Sequence, residues 1–186
     1  MLISLIIDPA PLPTGSQFQL SACISLACFL FLSKKLGNPV RIKWPNDLYW
    51  QDRKAGGILI ENIVAGDQWK WAIIGIGINI NQAEFPQSIQ NPVSLRQVSG
   101  ETYDLMKLTK ELQLEILESI DQLNQNGFGE ILKLYNEHLY KKDQPVKFKK
   151  GTRVFEAIVK EVNSSGWLVV MHGIEEEFEW GEVEWL

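Results

Sequence analysis

The chain has 186 residues, a formal net charge of −5 from 18 basic and 23 acidic side chains, and 45% hydrophobic against 22% charged residues. That is enough apolar chain for one medium domain, or one with a small appendage; it excludes a disordered protein, and the acidic balance argues against a nucleic-acid binder. Two cysteines (Cys23, Cys28) and two histidines (His138, His172) make neither a disulfide framework, a CxxC motif nor a zinc site, so a cytoplasmic, reduced, metal-free protein is expected.

Met1 to Ile7 is a short apolar run, predicted as a buried strand ended by Asp8-Pro9. Phe18 to Leu32 is apolar over 15 residues but carries Gln19, Ser21 and Ser25, which makes it too short and too polar to span a membrane. No basic residue precedes Lys34, so there is no secretory n-region. The run predicts a central buried helix, apolar on nearly every face, capped by Thr14 or Ser16 and stopped by Gly37-Asn38-Pro39. Val40 to Trp44 reads as a strand broken by Pro45, followed by strands at Leu48 to Trp50, Gly57 to Ile60 and Trp69 to Asn81, with a turn over Gln51 to Arg53. A Pro- and Gln-rich loop covers Gln82 to Pro92. From Leu105, the stripe Leu108, Leu112, Ile116, Ile120 and Leu123 predicts an amphipathic helix. Gly127 and Gly129 break it before a shorter helix that runs to about Tyr140.

After Tyr140 the period becomes two. Phe155, Ala157 and Val159 alternate with Glu156, Ile158 and Lys160, and Ser164-Ser165-Gly166 supplies a turn, so a small all-β module is expected. Residues 141–160 hold seven Lys or Arg, whereas 161–186 hold seven Glu and no basic residue, so the two halves are expected to neutralise each other.

Three segments combine residue types that are costly to keep for folding alone. In Lys43-Trp44-Pro45-Asn46-Asp47, proline breaks a strand, so that Asn46 and Asp47 are presented at a kink. In Arg53-Lys54-Ala55-Gly56-Gly57-Ile58-Leu59, a lysine precedes bare glycine backbone, which a phosphate or carboxylate can approach closely. In Gly75-Ile76-Gly77-Ile78-Asn79-Ile80-Asn81, a strand would turn Gly75, Gly77, Asn79 and Asn81 to one face, leaving room for something flat and an amide to read a heterocycle edge. Each segment also has a plainer reading: an Asx turn, a hairpin with a solvated lysine, and close packing of a helix on a sheet.

In this order and spacing, KWPND, the Lys54 to Glu61 segment and GxGxNxN closely resemble the biotin protein ligase family, over essentially the whole chain. Gly181-Glu182-Val183 is similar to an element of that family's SH3-like carboxy-terminal domain. The resemblance implies an α+β fold in which a mixed or antiparallel sheet is backed by helices (a class II synthetase-like ligase core, residues 1–140), followed by a small SH3-like barrel (141–186). It implies formation of biotinyl-5′-adenylate from biotin and MgATP, then transfer of biotin to a lysine of a carboxyl carrier protein. Lys54 matches the family lysine at the biotin carboxyl and the forming phosphoanhydride, and Asp47 the aspartate that assists acyl transfer. Asn46 and Asn79 match positions near the adenylate; Gly56, Gly57 and Ile58 match backbone lining the biotin site, and Trp44 is as much a packing residue as a contact. No protein-ligated metal, nucleic acid or membrane partner is implied, and a homodimer is left open.

The family also places a Gly/Arg-rich loop and a Ser/Thr-rich segment ahead of the strand that here starts at Met1, and its regulatory members carry a helix-turn-helix before these; neither pattern occurs in this chain. The expectation is a fragment of a longer ligase, or a short relative with impaired activity. The competing reading is a non-catalytic, biotin-ligase-like binding or assembly protein.

Overall fold

A computed structural model describes residues 1–186. The order is β1 (Leu2–Ile7), α1 (Gln17–Leu36), β2 (Val40–Lys43), β3 (Asp47–Trp50), β4 (Arg53–Ala65), β5 (Gln68–Ile78), α2 (Leu95–Ser99), α3 (Leu105–Asn126), α4 (Phe128–Glu137), β6 (Pro145–Lys150), β7 (Arg153–Val162), β8 (Leu168–Met171), β9 (Glu175–Phe178) and β10 (Glu184–Trp185). The strands form two five-stranded sheets, in the orders β1-β5-β4-β3-β2 and β10-β6-β7-β8-β9. Every strand pairing is antiparallel, so the class is α+β as expected.

α1 organises the core. Ala22 to Phe29 is buried without a break, because the helix packs on β2, β3 and β4 and also against α3 and α4. Each fully enclosed Leu, Ile or Phe there contributes about 1.5–3 kcal/mol. The helix spans 20 residues around the 15-residue apolar run, as its expected cap and stop imply, and by length and composition it could cross a membrane; two-thirds of its apolar window is instead enclosed by this fold. Ser16 stands at its N-cap but makes no capping hydrogen bond, and Thr14 donates to the carbonyl of Asp67 at 2.6 Å. At the other end Gly37, at φ 73°, closes the helix as expected, and Lys34 and Lys35 pair with Glu115 and Glu111 of α3.

The stripe on α3 falls where periodicity put it, with Leu108, Leu112, Ile116 and Leu123 buried. Gly127 ends α3, but Gly129 lies inside α4, whose apolar face pulls it into the helix. β4 is far longer than four residues, since pairing with β5 carries it out to Ala65. β5 stops at Ile78, short of Asn81. α2 was not foreseen.

In the second sheet Ala157 and Val159 are buried while Glu156 and Ile158 are exposed, the expected alternation. Its charges cancel as predicted: Lys149 faces Glu184 at 3.6 Å, Lys150 faces Glu182 at 3.1 Å, and Arg153 faces Glu176 at 3.5 Å. Apart from Val169, the buried apolar side chains of both sheets belong to one continuous cluster. Asn136 on α4 fastens the junction, donating to the carbonyl of Val162 at 2.9 Å and accepting from its N–H at 2.7 Å. Gly166, at φ 89°, turns directly over the ring of Phe18; a Cβ there would lie 2.5 Å from the ring.

Candidate active site

Five residues align across the first sheet on the face turned away from α1. Lys43 pairs with Asp47, Asp47 with Gly57, Gly57 with Gly77, and Gly77 with Leu2. The other face of β5 carries Ile74, Ile76 and Ile78, all buried. Isoleucine inward and glycine outward is the alternation foreseen for this segment, and it leaves bare backbone on the outer face. Above that backbone lies an open trough of about 570 Å³, floored by Gly57, Gly75 and Gly77 and walled by Leu2, Ser4, Asn46, Asp47 and Lys54. A second hollow of about 330 Å³ adjoins it, sharing Leu2, Lys54, Gly57 and Gly77 and adding Gly56, Asn79, Gln82 and Pro92.

Lys54 reaches this face through an irregularity. Simple alternation would turn residues 54 and 57 to opposite sides of β4. The register instead jumps between Leu48–Gly56 and Tyr49–Lys54, a bulge that buries Ala55 and Gly56 together. Lys54 and Gly57 therefore share the outer face. The Lys54 ammonium sits 2.6 Å from a carboxylate oxygen of Asp47, with the side chains 44% and 26% exposed, so the pair is open to a ligand yet preorganised. The Lys54 backbone is pinned by the loop: its N–H donates to Asn91 and its carbonyl accepts from Val93, each at 2.9 Å.

The glycines divide the work. A Cβ on Gly56 would lie 2.6 Å from the carbonyl of Gly77, so Gly56 is demanded by strand packing. A Cβ on Gly57 would lie 3.0 Å from Asp47 Oδ1 and 3.6 Å from Lys54 Nζ, so Gly57 keeps the space beneath the ion pair empty.

Asp47 is the first residue of β3, in register with both neighbours, and not out on a kink; pairing to β4 resumes directly after Pro45 and Asn46. Asn46 occupies the turn and clamps β4, donating to the carbonyl of Ile58 at 2.5 Å and accepting at its own carbonyl from the Ile58 N–H at 2.9 Å. Ile58 contributes to the trough wall, with both of those peptide groups engaged. Asn79 lines the smaller hollow, its amide donating to the Lys54 carbonyl at 3.3 Å. Asn81, expected on the same face of a strand, lies beyond β5, and its amide is committed to the backbone of Tyr103 at 2.8 and 2.9 Å. Trp44 is a packing residue: 3% exposed, it donates to the carbonyl of Gly166 in the β7–β8 turn at 2.9 Å.

Sequence reasoning missed Leu2 and Ser4: in the apolar run of β1 nothing marks one face, and where a buried strand was expected Leu2, Ser4 and Ile6 stand exposed; the hollow's loop residues Gln82 and Pro92 carried no signal either. It also passed over Lys43. Burial holds the Lys43 ammonium below the ordinary lysine range, with Asp47 opposing that shift and Lys54 adding to it. No group of three or more His, Cys, Asp or Glu side chains could hold a metal ion, and Asp47 is the one carboxylate on the trough.

The family model described as the biotin/lipoate A/B protein ligase family matches residues 1–79, which hold every site residue named above except the loop positions. The chain is 29% identical over 172 residues to the bifunctional ligase/repressor BirA of Escherichia coli, covering 91% of this chain and 53% of that protein. In sequence this chain is similar to biotin ligases over most of its length. A second relative, the biotin–[acetyl-CoA-carboxylase] ligase of Paracoccus denitrificans, is 27% identical over 158 residues, covering 82% of this chain and 66% of that one. The chain thus spans about half the length of curated relatives such as BirA. The fold is shared with the biotin protein ligase of Aquifex aeolicus solved in complex with biotin and ATP, at a TM-score of 0.83 and 24% identity, over 100% of this chain and 77% of that one.

Proposed function

We propose that this chain is a biotin protein ligase acting in the cytoplasm, joining biotin to AMP from MgATP and passing it to a lysine of a carboxyl carrier protein. The observation that carries the reading is the Lys54–Asp47 pair at 2.6 Å over a floor of glycine. In the first step the biotin carboxylate attacks the α-phosphorus of ATP, and pyrophosphate leaves. Negative charge grows on the phosphoryl oxygens, and a fixed ammonium beside them lowers the barrier without having to reorganise. Lys54 is that ammonium, held in place by Asp47 and by the loop hydrogen bonds on its backbone.

In the second step the carrier's amine attacks the acyl carbon of the mixed anhydride and AMP departs. The amine must be neutral to attack and must lose a proton afterwards. Asp47, on the trough wall, is the carboxylate placed to orient it and receive that proton. Gly57, Gly75 and Gly77 let a flat substrate lie on backbone, Asn79 offers an amide at the adenylate end, and Asn46 with Ile58 fixes the rim. Gly56 holds β4 close to β5 below them. Residues 1–140 carry the chemistry in this reading, and 141–186 form the SH3-like module. The names of the E. coli and Paracoccus relatives and the biotin and ATP in the Aquifex complex support it.

The test compares the wild type with Asp47→Asn, a near-isosteric change, in single-turnover transfer of biotin to a carboxyl carrier protein and in thermal melting. Transfer should fall by about 10²-fold or more with the melting temperature nearly unchanged. A loss of stability matching the loss of activity would make Asp47 a turn residue only. Biotin binding by the wild type with no adenylate or transfer would favour the non-catalytic relative.

A further inference from the structure

A separate cavity of about 440 Å³ lies where the β2–β3 edge of the first sheet meets the second sheet. Lys43, Tyr49, Tyr140, Lys141, Lys147 and Trp185 are on its wall. Its one acidic side chain, Asp52, is already satisfied: Tyr140 donates to it at 2.7 Å and Lys141 pairs with it at 2.6 Å. Lys43 and Lys147 have no carboxylate within ion-pair distance. The only hydrogen bond from the Lys43 ammonium goes to the Tyr49 hydroxyl at 3.3 Å, and the group otherwise rests over the rings of Tyr49 and Trp185, 4.9 and 5.3 Å from their centroids.

A half-buried ammonium with no carboxylate in ion-pair reach is costly, and it lines this hollow together with the exposed Lys147. One kind of ligand repairs it: an oxyanion, whose oxygens accept from the ammoniums and whose charge meets the lysines. The cavity also lies on the way out of the trough. Lys43 is directly opposite Asp47 across the β2–β3 pairing, and residues 89–92 border both hollows, Ile89 and Pro92 on one and Gln90 and Asn91 on the other.

We propose that this cavity is a phosphate-type oxyanion site, held by Lys43 and Lys147, and that its ligand is the pyrophosphate released when the adenylate forms. The identity of the ligand rests on the ligase reading; the existence of the site does not. Titration calorimetry of the full chain with sodium pyrophosphate, and separately with inorganic phosphate, tests it in the absence of biotin and ATP. Pyrophosphate should bind, about tenfold or more weaker in Lys43→Gln, and about threefold or more weaker in Lys147→Gln, a surface change. Melting curves confirm that each variant folds, and Lys147→Gln keeps the test open should Lys43→Gln fail. No binding at millimolar concentration, or binding that falls in Lys54→Ala but not in Lys43→Gln, would overturn the site. Phosphate binding as tight as pyrophosphate would overturn the assignment to the leaving group. Failure of carrier biotinylation with Lys43-dependent pyrophosphate binding intact would count against the ligase reading alone.

Discussion

The two sheets of this molecule have the same number of strands and the same antiparallel pairing, yet they use their outer faces in opposite ways. On the second sheet, lysine and arginine stand across from glutamate, and the charges cancel on the surface. On the first, glycines stand where side chains would be, and two lysines are turned toward hollows, one tied to a single carboxylate and one to none. Exposed pairs of the first kind contribute about 0–1 kcal/mol each and tolerate loss. Charge kept beside empty space contributes nothing to folding that a neutral residue would not. It is therefore where chemistry is expected.

The sharpest way to break this comparison uses one glycine from each region. Gly166→Ala should destabilise the chain by about 2–4 kcal/mol, since φ 89° disfavours an alanine and its Cβ would press into Phe18. Denaturant melting should show the loss, and activity per folded molecule should be unchanged. Gly57→Ala should do the reverse: its Cβ meets Asp47 and the Lys54 side chain at 3.0–3.6 Å, so pyrophosphate exchange should fall about tenfold while the melting curve barely moves. If both variants lose stability and activity in proportion, the division between the regions fails.

How much of this was legible in the chain differs by element. The central helix and the outward glycines of β5 were readable because apolar periodicity is local and burial follows it. The bulge at Lys54 and Ala55 was not, because a register shift is decided by the partner strand. Without it, the lysine could be placed only at the mouth of a strand and not beside Asp47. The two asparagines looked equivalent by alternation, yet Asn79 lines a hollow and Asn81 staples Tyr103, since β5 ends before either. α2 was missed although its signal was present: Ser94 and Gln97 form a reciprocal capping box, Ser at the N-cap and Gln three residues on.

The smallest expected effect concerns the tie between the sheets at Asp52. Lys141 first, then Tyr140, hold its carboxyl below the ordinary value of 3.8. A depressed folded value means the stabilisation is complete above the unfolded value and is lost as pH falls through the folded one. Because the Asp52 side chain is 67% exposed, the loss should stay well under about 1 kcal/mol. Melting of wild type and Asp52→Asn should differ slightly at about pH 5 and converge at about pH 2. A difference that grows with acid would contradict the pairing.

The central claim is that the Lys54 ammonium, carried over the glycine floor by the bulge in β4, acts on the transition state of adenylate formation. Biotin-dependent exchange of labelled pyrophosphate into ATP, in Lys54→Ala against wild type, tests it most directly. The account predicts a fall of about 10²-fold or more in the exchange rate, with biotin binding less affected and melting unchanged; exchange at the wild-type rate would contradict it.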